Sequence, residues 1–147
     1  MDFGKLLSAQ AFEAKAPALA PEGINYPGEI LSWKADKSRG ADPKPIIKIT
    51  MRADDWADNV PEDERKGDIT KKRFERDFFV DDTDIDSMFY VDQLLRSCNI
   101  SGPAPYDELL PQLVGAKVHF TIRKRTYEDK KTHEMREALD VVNIVGR

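Results

Sequence analysis

Aromatic side chains lie beside clusters of Lys and Arg at three places in the sequence, around Trp33, Phe79 and Tyr127. Cations pair with the phosphates of a nucleic-acid strand, and a flat ring stacks on any base because every base has a π-face. The residues with this chemistry, which we predict to bind a single strand, are Trp33, Lys34, Lys37, Arg39, Lys48, Arg52, Arg73, Phe79, Arg123, Arg125, Tyr127 and Lys130.

Each of these residues also has a purely structural interpretation. Trp33 and one of the adjacent Phe78 and Phe79 are equally well explained as core residues, since neighbours in a strand face opposite sides. Outward Lys and Arg side chains on strands more often protect an edge or face solvent than bind a ligand. The nucleic-acid interpretation therefore depends on the clusters converging in the fold.

A run of carboxylates offers a different chemistry, that of a metal-dependent nuclease using Asp81, Asp82, Asp84 and Asp86. Counted from Asp82, the run begins like a calcium loop, but a serine and a glutamine stand where the loop needs glycine and glutamate. Acids in the first turn of a helix stabilise it through the helix dipole, so helix capping is the favoured interpretation. The nuclease is a distant alternative.

The remaining reactive side chains give no catalytic or metal-binding pattern. Cys98 is the one cysteine, which excludes an internal disulfide, and it falls on the apolar stripe of a predicted helix. His119 and His133 have no evident Asp or Ser partner and form no recognisable zinc site with Cys98. We therefore expect a non-catalytic protein without a cofactor or metal.

Charge is segregated along the 147 residues, whose formal net charge is −4. Residues 34–52 and 117–136 each carry net +4, whereas residues 53–68 carry net −5 and contain Trp56. A net-acidic chain can therefore present a basic face if the two positive blocks meet. We expect Trp56 to anchor the acidic segment or a protein partner, because phosphates would be repelled there.

Apolar alternation predicts the elements that must position these residues. Strands are expected over 24–34, 46–52, 70–80, 117–125 and 135–145. A helix capped by Thr83 should lie between the third and fourth strands, followed by a short helical segment over 106–113. Residues 1–23 are predicted to form an arm and linker that could mediate assembly, and residues 24–147 a single domain.

This order predicts a mainly β fold, a five-stranded OB-fold-like, partly open Greek-key barrel with a helix between strands 3 and 4. In that fold the outer face of strands 2 and 3 and the loops 1–2 and 4–5 bind nucleic acid. Both positive blocks fall on these elements, so we expect them to converge on one groove. No apolar stretch is long enough to cross a membrane and the start lacks a signal-peptide pattern, so a soluble cytoplasmic protein is expected.

The sequence resembles phage-type single-stranded DNA-binding proteins of the OB-fold class over most of residues 21–145. The likeness lies in Pro21-Glu22-Gly23 before Tyr26-x-Gly28-x-Ile30, Lys37-Ser38-Arg39-Gly40 before Ile47-x-Ile49, Leu94-Leu95, and Leu113-Val114-Gly115-x-Lys117-Val118. The resemblance implies coating of single strands in viral DNA replication, recombination or repair in a bacterial host.

One departure from this resemblance concerns protein partners. Many such proteins end in an acidic tail that recruits replication enzymes, whereas this sequence ends Asn143-Ile144-Val145-Gly146-Arg147. The acidic loop 53–68 is therefore the expected contact for replication or recombination proteins. The alternative function is a β-barrel adaptor or structural phage protein that binds other proteins.

Overall fold

Five strands form one antiparallel sheet in the computed structural model, which describes residues 20–147. They are β1 (Gly23–Lys37), β2 (Pro45–Ala53), β3 (Arg73–Phe79), β4 (Lys117–Glu128) and β5 (Met135–Gly146). The strand order is β3-β2-β1-β4-β5. The sheet curls without closing, and a hydrogen bond of 3.4 Å from Arg76 to the Val141 carbonyl oxygen spans the gap between β3 and β5. The predicted OB-fold-like, partly open barrel is confirmed.

The inner face of the barrel is apolar, as the alternation predicts. Ile47, Ile49 and Met51 of β2 are all buried, and so are Val118, Phe120 and Ile122 of β4. Three aromatic rings meet in this core: the Phe120 ring lies 5.7 Å from that of Tyr26 and 5.3 Å from that of Phe74, centroid to centroid. The outer faces of the same strands are left to polar side chains.

Two α-helices of the described chain lie between β3 and β4, where a helix was predicted. Helix α1 (Phe89–Ser97) buries Val91, Leu94 and Leu95, and α2 (Tyr106–Leu109) continues into a 3₁₀ turn, Leu110–Leu113. The end of β5 packs so closely on α1 that a Cβ at Gly146 would collide with the Ser97 carbonyl oxygen. Within residues 20–147 no helix is both long and apolar enough to cross a membrane.

Several predicted boundaries are corrected by the structure. Strand 1 extends to Lys37 and strand 4 to Glu128, whereas strand 3 begins only at Arg73 because Ile69–Lys71 is a 3₁₀ turn capped by Asp68. Most of the predicted arm, residues 1–19, lies outside the described residues.

The predicted cap of the helix after β3 was wrong. Thr83 donates its hydroxyl to Asp81 at 2.7 Å and caps nothing. Asp84 is the cap instead, because it accepts a hydrogen bond from the Asp86 backbone N–H at 3.0 Å and so begins a 3₁₀ turn. That turn, Ile85–Met88, precedes α1.

Candidate nucleic-acid interface

A groove of about 1170 Å³ lies where the sequence predicts a nucleic-acid interface. Its lining comes from β2 and β3, from the start of the β1–β2 loop, and from the β4–β5 hairpin. The charged side chains that line it are Lys37, Arg39, Lys48, Lys72, Arg73, Arg76 and Arg125, with Glu75, Asp77 and Asp140. The groove therefore carries net +4 in a chain of net −4.

The pairing of β2 with β3 decides which side chains face the groove. Residues directly opposite each other in an antiparallel ladder share a face. Lys48 lies opposite Asp77, and Ile46 opposite Phe79, on the side away from the buried Ile49. The outer face of β2 and β3 thus combines cations with an aromatic ring.

Phe79 is the exposed ring of this face. Its side chain is 62% exposed, whereas the adjacent Phe78 is 8% exposed and belongs to the core. The expectation that one of the two phenylalanines lies outside the core is confirmed. Phe79 is therefore available to stack on a base.

The end of β1 and the β1–β2 loop bring two exposed cations to the groove, Lys37 and Arg39. Within residues 20–147 the ammonium of Lys37 and the guanidinium of Arg39 make no hydrogen bond or ion pair. The loop itself is ordered by two hydrogen bonds, from the Ser38 N–H to the Lys44 carbonyl (2.8 Å) and from the Lys44 N–H to the Ser38 hydroxyl (2.9 Å). Both cations are therefore presented at an ordered connection, and no carboxylate of the described residues pairs with either side chain.

Other groove cations are held by neighbouring groups. Lys48 Nζ lies 3.6 Å from a carboxylate oxygen of Glu75. Arg125 Nε donates to Asp140 at 2.9 Å, and the Arg125 guanidinium lies 5.4 Å from the centroid of the Tyr127 ring. Because Asp140 occupies Nε, the terminal nitrogens of Arg125 keep donors for a phosphate.

Arg76 lines the groove although the sequence did not nominate it. It lies two positions from each of the core residues Phe74 and Phe78 and so shares their face, which places its side chain on the inner side of β3, half buried. Its guanidinium lies 4.9 Å from the centroid of the Phe78 ring, and burial lowers its pKa below the ordinary value. Its hydrogen bond to Val141 makes it chiefly a structural cation that bridges the gap between β3 and β5.

Trp33 does not reach the groove, because a bulge reverses the alternation of β1. The register with β2 shifts between Ile30 and Ser32, so that Trp33 lies opposite the buried Ile49. One extra residue inverts which side chains point inward. Trp33 is therefore partly buried against the core, as its interpretation as a core residue predicts.

Arg52 is the second predicted binding residue that does not line the groove. Its guanidinium bonds Glu29 at 2.9 Å and lies 3.5 Å from Asp54. Lys117 and Arg147 complete the network with contacts to Asp54 of 3.2 and 2.7 Å. Burial alone would raise the pKa of Asp54, but the hydrogen bond from Lys117 and the charges of the three cations lower it. The network ties β1, β2, β4 and the chain end together.

The remaining nominated residues are exposed but do not line the groove. Lys34 is on the outer face of β1 and pairs with Asp36 at 3.0 Å. Arg123 and Tyr127 lie in the segment 123–128, which is exposed throughout, and Lys130 lies in the hairpin loop. The structure thus brings six of the twelve predicted residues together: Lys37, Arg39, Lys48, Arg73, Phe79 and Arg125.

The carboxylates at 81–86 serve local turns. Asp81 accepts hydrogen bonds from the N–H and hydroxyl of Thr83, and these bonds lower its pKa. Asp84 caps the following turn, and all four aspartates are exposed. Among the described residues no group of three or more His, Cys, Asp or Glu is placed to hold a metal ion. Of the four, Asp84 is the one that caps a helical turn, and Asp81 orders the residues just before it.

The acidic segment 53–68 is packed onto the barrel. Trp56 lies partly buried against the core, and Ala57 and Val60 are buried with it. Arg65 donates to the Val60 carbonyl at 2.9 Å, which holds the following turn in place. Trp56 therefore anchors the segment, and the carboxylates around it remain at the surface.

The chain matches no protein-family model and no curated protein. The similarity to phage-type single-stranded DNA-binding proteins therefore stays a prediction from the residues quoted above. A fold of this class carries many functions, so the function has to be inferred from the groove itself.

Proposed function

We propose that this protein binds single-stranded DNA without strong sequence preference, as a non-catalytic protein that protects and organises the strand in viral DNA replication, recombination or repair. The observation that carries the proposal is the groove, which is net positive in a net-negative chain and lies along the outer face of β2 and β3 and the gap between β3 and β5. An OB-fold binds oligonucleotides on this face.

The electrostatics of the groove favour a polyanion. Lys37 and Arg39 approach from one side and Arg125 from the hairpin on the other, so a strand between them would be contacted along its length. Each phosphate that is neutralised releases counterions, which makes binding favourable and dependent on salt. Lys48 would exchange Glu75 for a phosphate, whereas Arg125 would contact a phosphate through its terminal nitrogens while Nε stays on Asp140.

The apolar part of the groove favours bases that are unpaired. Phe79 is exposed at the end of β3 and lies opposite Ile46, so its ring can stack on one base. Stacking needs a base that is free of a duplex, and it tolerates all four bases. The ring therefore favours single strands over duplex DNA.

A titration of a fluorescently labelled oligo-dT at several salt concentrations tests the proposal. We expect binding at about 50 mM salt that weakens steeply toward about 200 mM. Duplex DNA of the same length should bind more weakly, since its bases cannot reach Phe79. No binding at the lower salt, or an affinity that is independent of salt, would contradict the proposed single-stranded DNA binding.

A second candidate function, a protein adaptor, is favoured by an exposed aromatic pair. Phe89 and Tyr90 at the start of α1 are 52% and 63% exposed, and their rings meet edge to face at 5.4 Å. Exposed apolar clusters of this kind often mark protein contacts. The acidic segment 53–68 is the other surface at which replication or recombination proteins could bind. Failure of the oligo-dT titration would leave the adaptor as the better account.

A further inference from the structure

One carboxylate of the groove, that of Asp77, has no ion-pair partner in the part of the chain that the structure describes. Three acids line the groove, of which Glu75 pairs with Lys48 and Asp140 with Arg125. Asp77 lies opposite Lys48 in the ladder, yet among residues 20–147 no Lys or Arg nitrogen lies within 4.0 Å of its carboxylate. An exposed, uncompensated negative charge in a cationic groove would repel phosphates, so its place there needs another explanation.

The position of Asp77 relative to Phe79 supplies that explanation. The two residues are separated by one position on the same outer face of β3, and both are exposed. Side chains two residues apart on a strand are separated by about 7 Å. A base stacked on the Phe79 ring would therefore extend one edge toward the Asp77 carboxylate.

The chemistry of a carboxylate selects among the bases that present such an edge. An ionised carboxylate only accepts hydrogen bonds. Cytosine, adenine and guanine each carry an exocyclic amino group that donates, and Asp and Glu are known to accept from the cytosine amino group. Thymine has carbonyl oxygens at those positions, and its one donor on that edge, the ring N3–H, lies between them, so a carboxylate that approaches this N–H is repelled by both oxygens.

We propose that Asp77 accepts a hydrogen bond from the amino group of the base stacked on Phe79, so that the groove prefers cytosine, adenine or guanine to thymine at that position. This inference rests on the proposed function. It concerns one base position, while the other groove contacts are with phosphates, and it therefore adds a modest preference to binding that is otherwise sequence-tolerant.

The test compares labelled oligo-dC and oligo-dT of about 12 nucleotides at neutral pH and low salt, because the two pyrimidines have similar rings. For the wild type we expect oligo-dC to bind at least about fivefold more tightly than oligo-dT. In Asp77→Ala the two affinities should become equal. Asp82→Ala is the matched control, since it removes an exposed aspartate outside the groove and should retain the preference.

Three results would overturn this inference while leaving the proposed function intact. They are equal binding of both oligonucleotides by the wild type, a preference that persists in Asp77→Ala, and an equal gain in affinity for both oligonucleotides in Asp77→Ala. The last would show that Asp77 only repels phosphates. Absence of binding to either oligonucleotide would overturn the proposed function and this inference together.

Discussion

Neutralising Lys37 at the end of β1 and Arg39 in the β1–β2 loop should lower the salt dependence of DNA binding by an amount that can be calculated. Lys37 and Arg39 are exposed and have no carboxylate partner in the described chain, so replacing both with Gln removes charge without leaving an unpaired acid. The stability of the fold should therefore change little.

The magnitude follows from the number of groove cations that can reach phosphates. We count the five groove cations that the sequence predicts: Lys37, Arg39, Arg73 and Arg125, which are exposed, and the partly buried Lys48. Five phosphate contacts to a single strand predict a log-log salt slope of about −3.5, and three contacts predict about −2.1. Between about 50 and 200 mM salt the affinity should therefore fall about 130-fold for the wild type and only about 18-fold for the double variant.

Fluorescence anisotropy of a labelled oligo-dT at four or more salt concentrations measures these slopes. The matched control is Lys66→Gln with Arg96→Gln, which makes the same change in net charge at two exposed positions outside the groove. The control should keep the wild-type slope. The reasoning is refuted if the Lys37/Arg39 variant keeps that slope, or if both double variants lose it equally.

Three further predictions concern Phe79, Trp33 and Asp54. Phe79→Ala should weaken oligo-dT binding by about 1–3 kcal/mol in anisotropy titrations with an unchanged salt slope. Phe78→Ala should instead lower the free energy of unfolding by about 3–5 kcal/mol. The reverse pattern would contradict the faces of β3 assigned to the two rings. Trp33→Ala should lower the melting temperature while the folded protein keeps its affinity for oligo-dT. A loss of that affinity without a change in melting temperature would instead indicate that Trp33 contacts DNA. Asp54→Asn should lower the free energy of unfolding at neutral pH. Because the pKa of Asp54 is depressed in the folded state, the stabilisation by its carboxylate is present above the ordinary pKa of 3.8 and is lost as the pH falls through the folded-state pKa. The unfolding free energies of variant and wild type, measured by urea titration, should therefore converge in acid.

The strands of the barrel could be predicted because alternation leaves a strong signal. Ile47, Ile49 and Met51 alternate with polar residues in a segment that has one buried face, and the structure has the same pattern. The adjacent Phe78 and Phe79 had to face opposite sides whatever the register. These features depend on local geometry alone, which the sequence records directly.

The face of Trp33 could not be predicted because it depends on a bulge. Simple alternation from Ile30 places Trp33 outside, and the extra residue near Leu31 turns it inward. A bulge is decided by how β1 must curve to pair with both β2 and β4, which no local pattern reveals. The same pairing requires Gly28, since a Cβ there would collide with the Arg52 carbonyl oxygen.

The ion-pair partners of individual charged residues could not be predicted from the sequence either. Arg52 lies on the outer face of β2 as its alternation indicates, but its carboxylate partners come from β1 and from the loop after β2. Asp77 has no ion pair within residues 20–147 although Lys48 lies opposite, because the Lys48 ammonium is near Glu75. Charge blocks in a sequence predict which surface is basic, whereas the individual ion pairs depend on register.

The most direct test of the central claim maps where DNA contacts the protein. In ¹⁵N–¹H NMR spectra of the full chain, adding oligo-dT should shift the amide signals of β2, β3 and the β1–β2 loop most strongly, together with those around Arg125. The amides of α1 should change little, since this helix does not line the groove. Shifts that concentrate on α1 or on the acidic segment 53–68, with the groove unchanged, would contradict the proposed binding site.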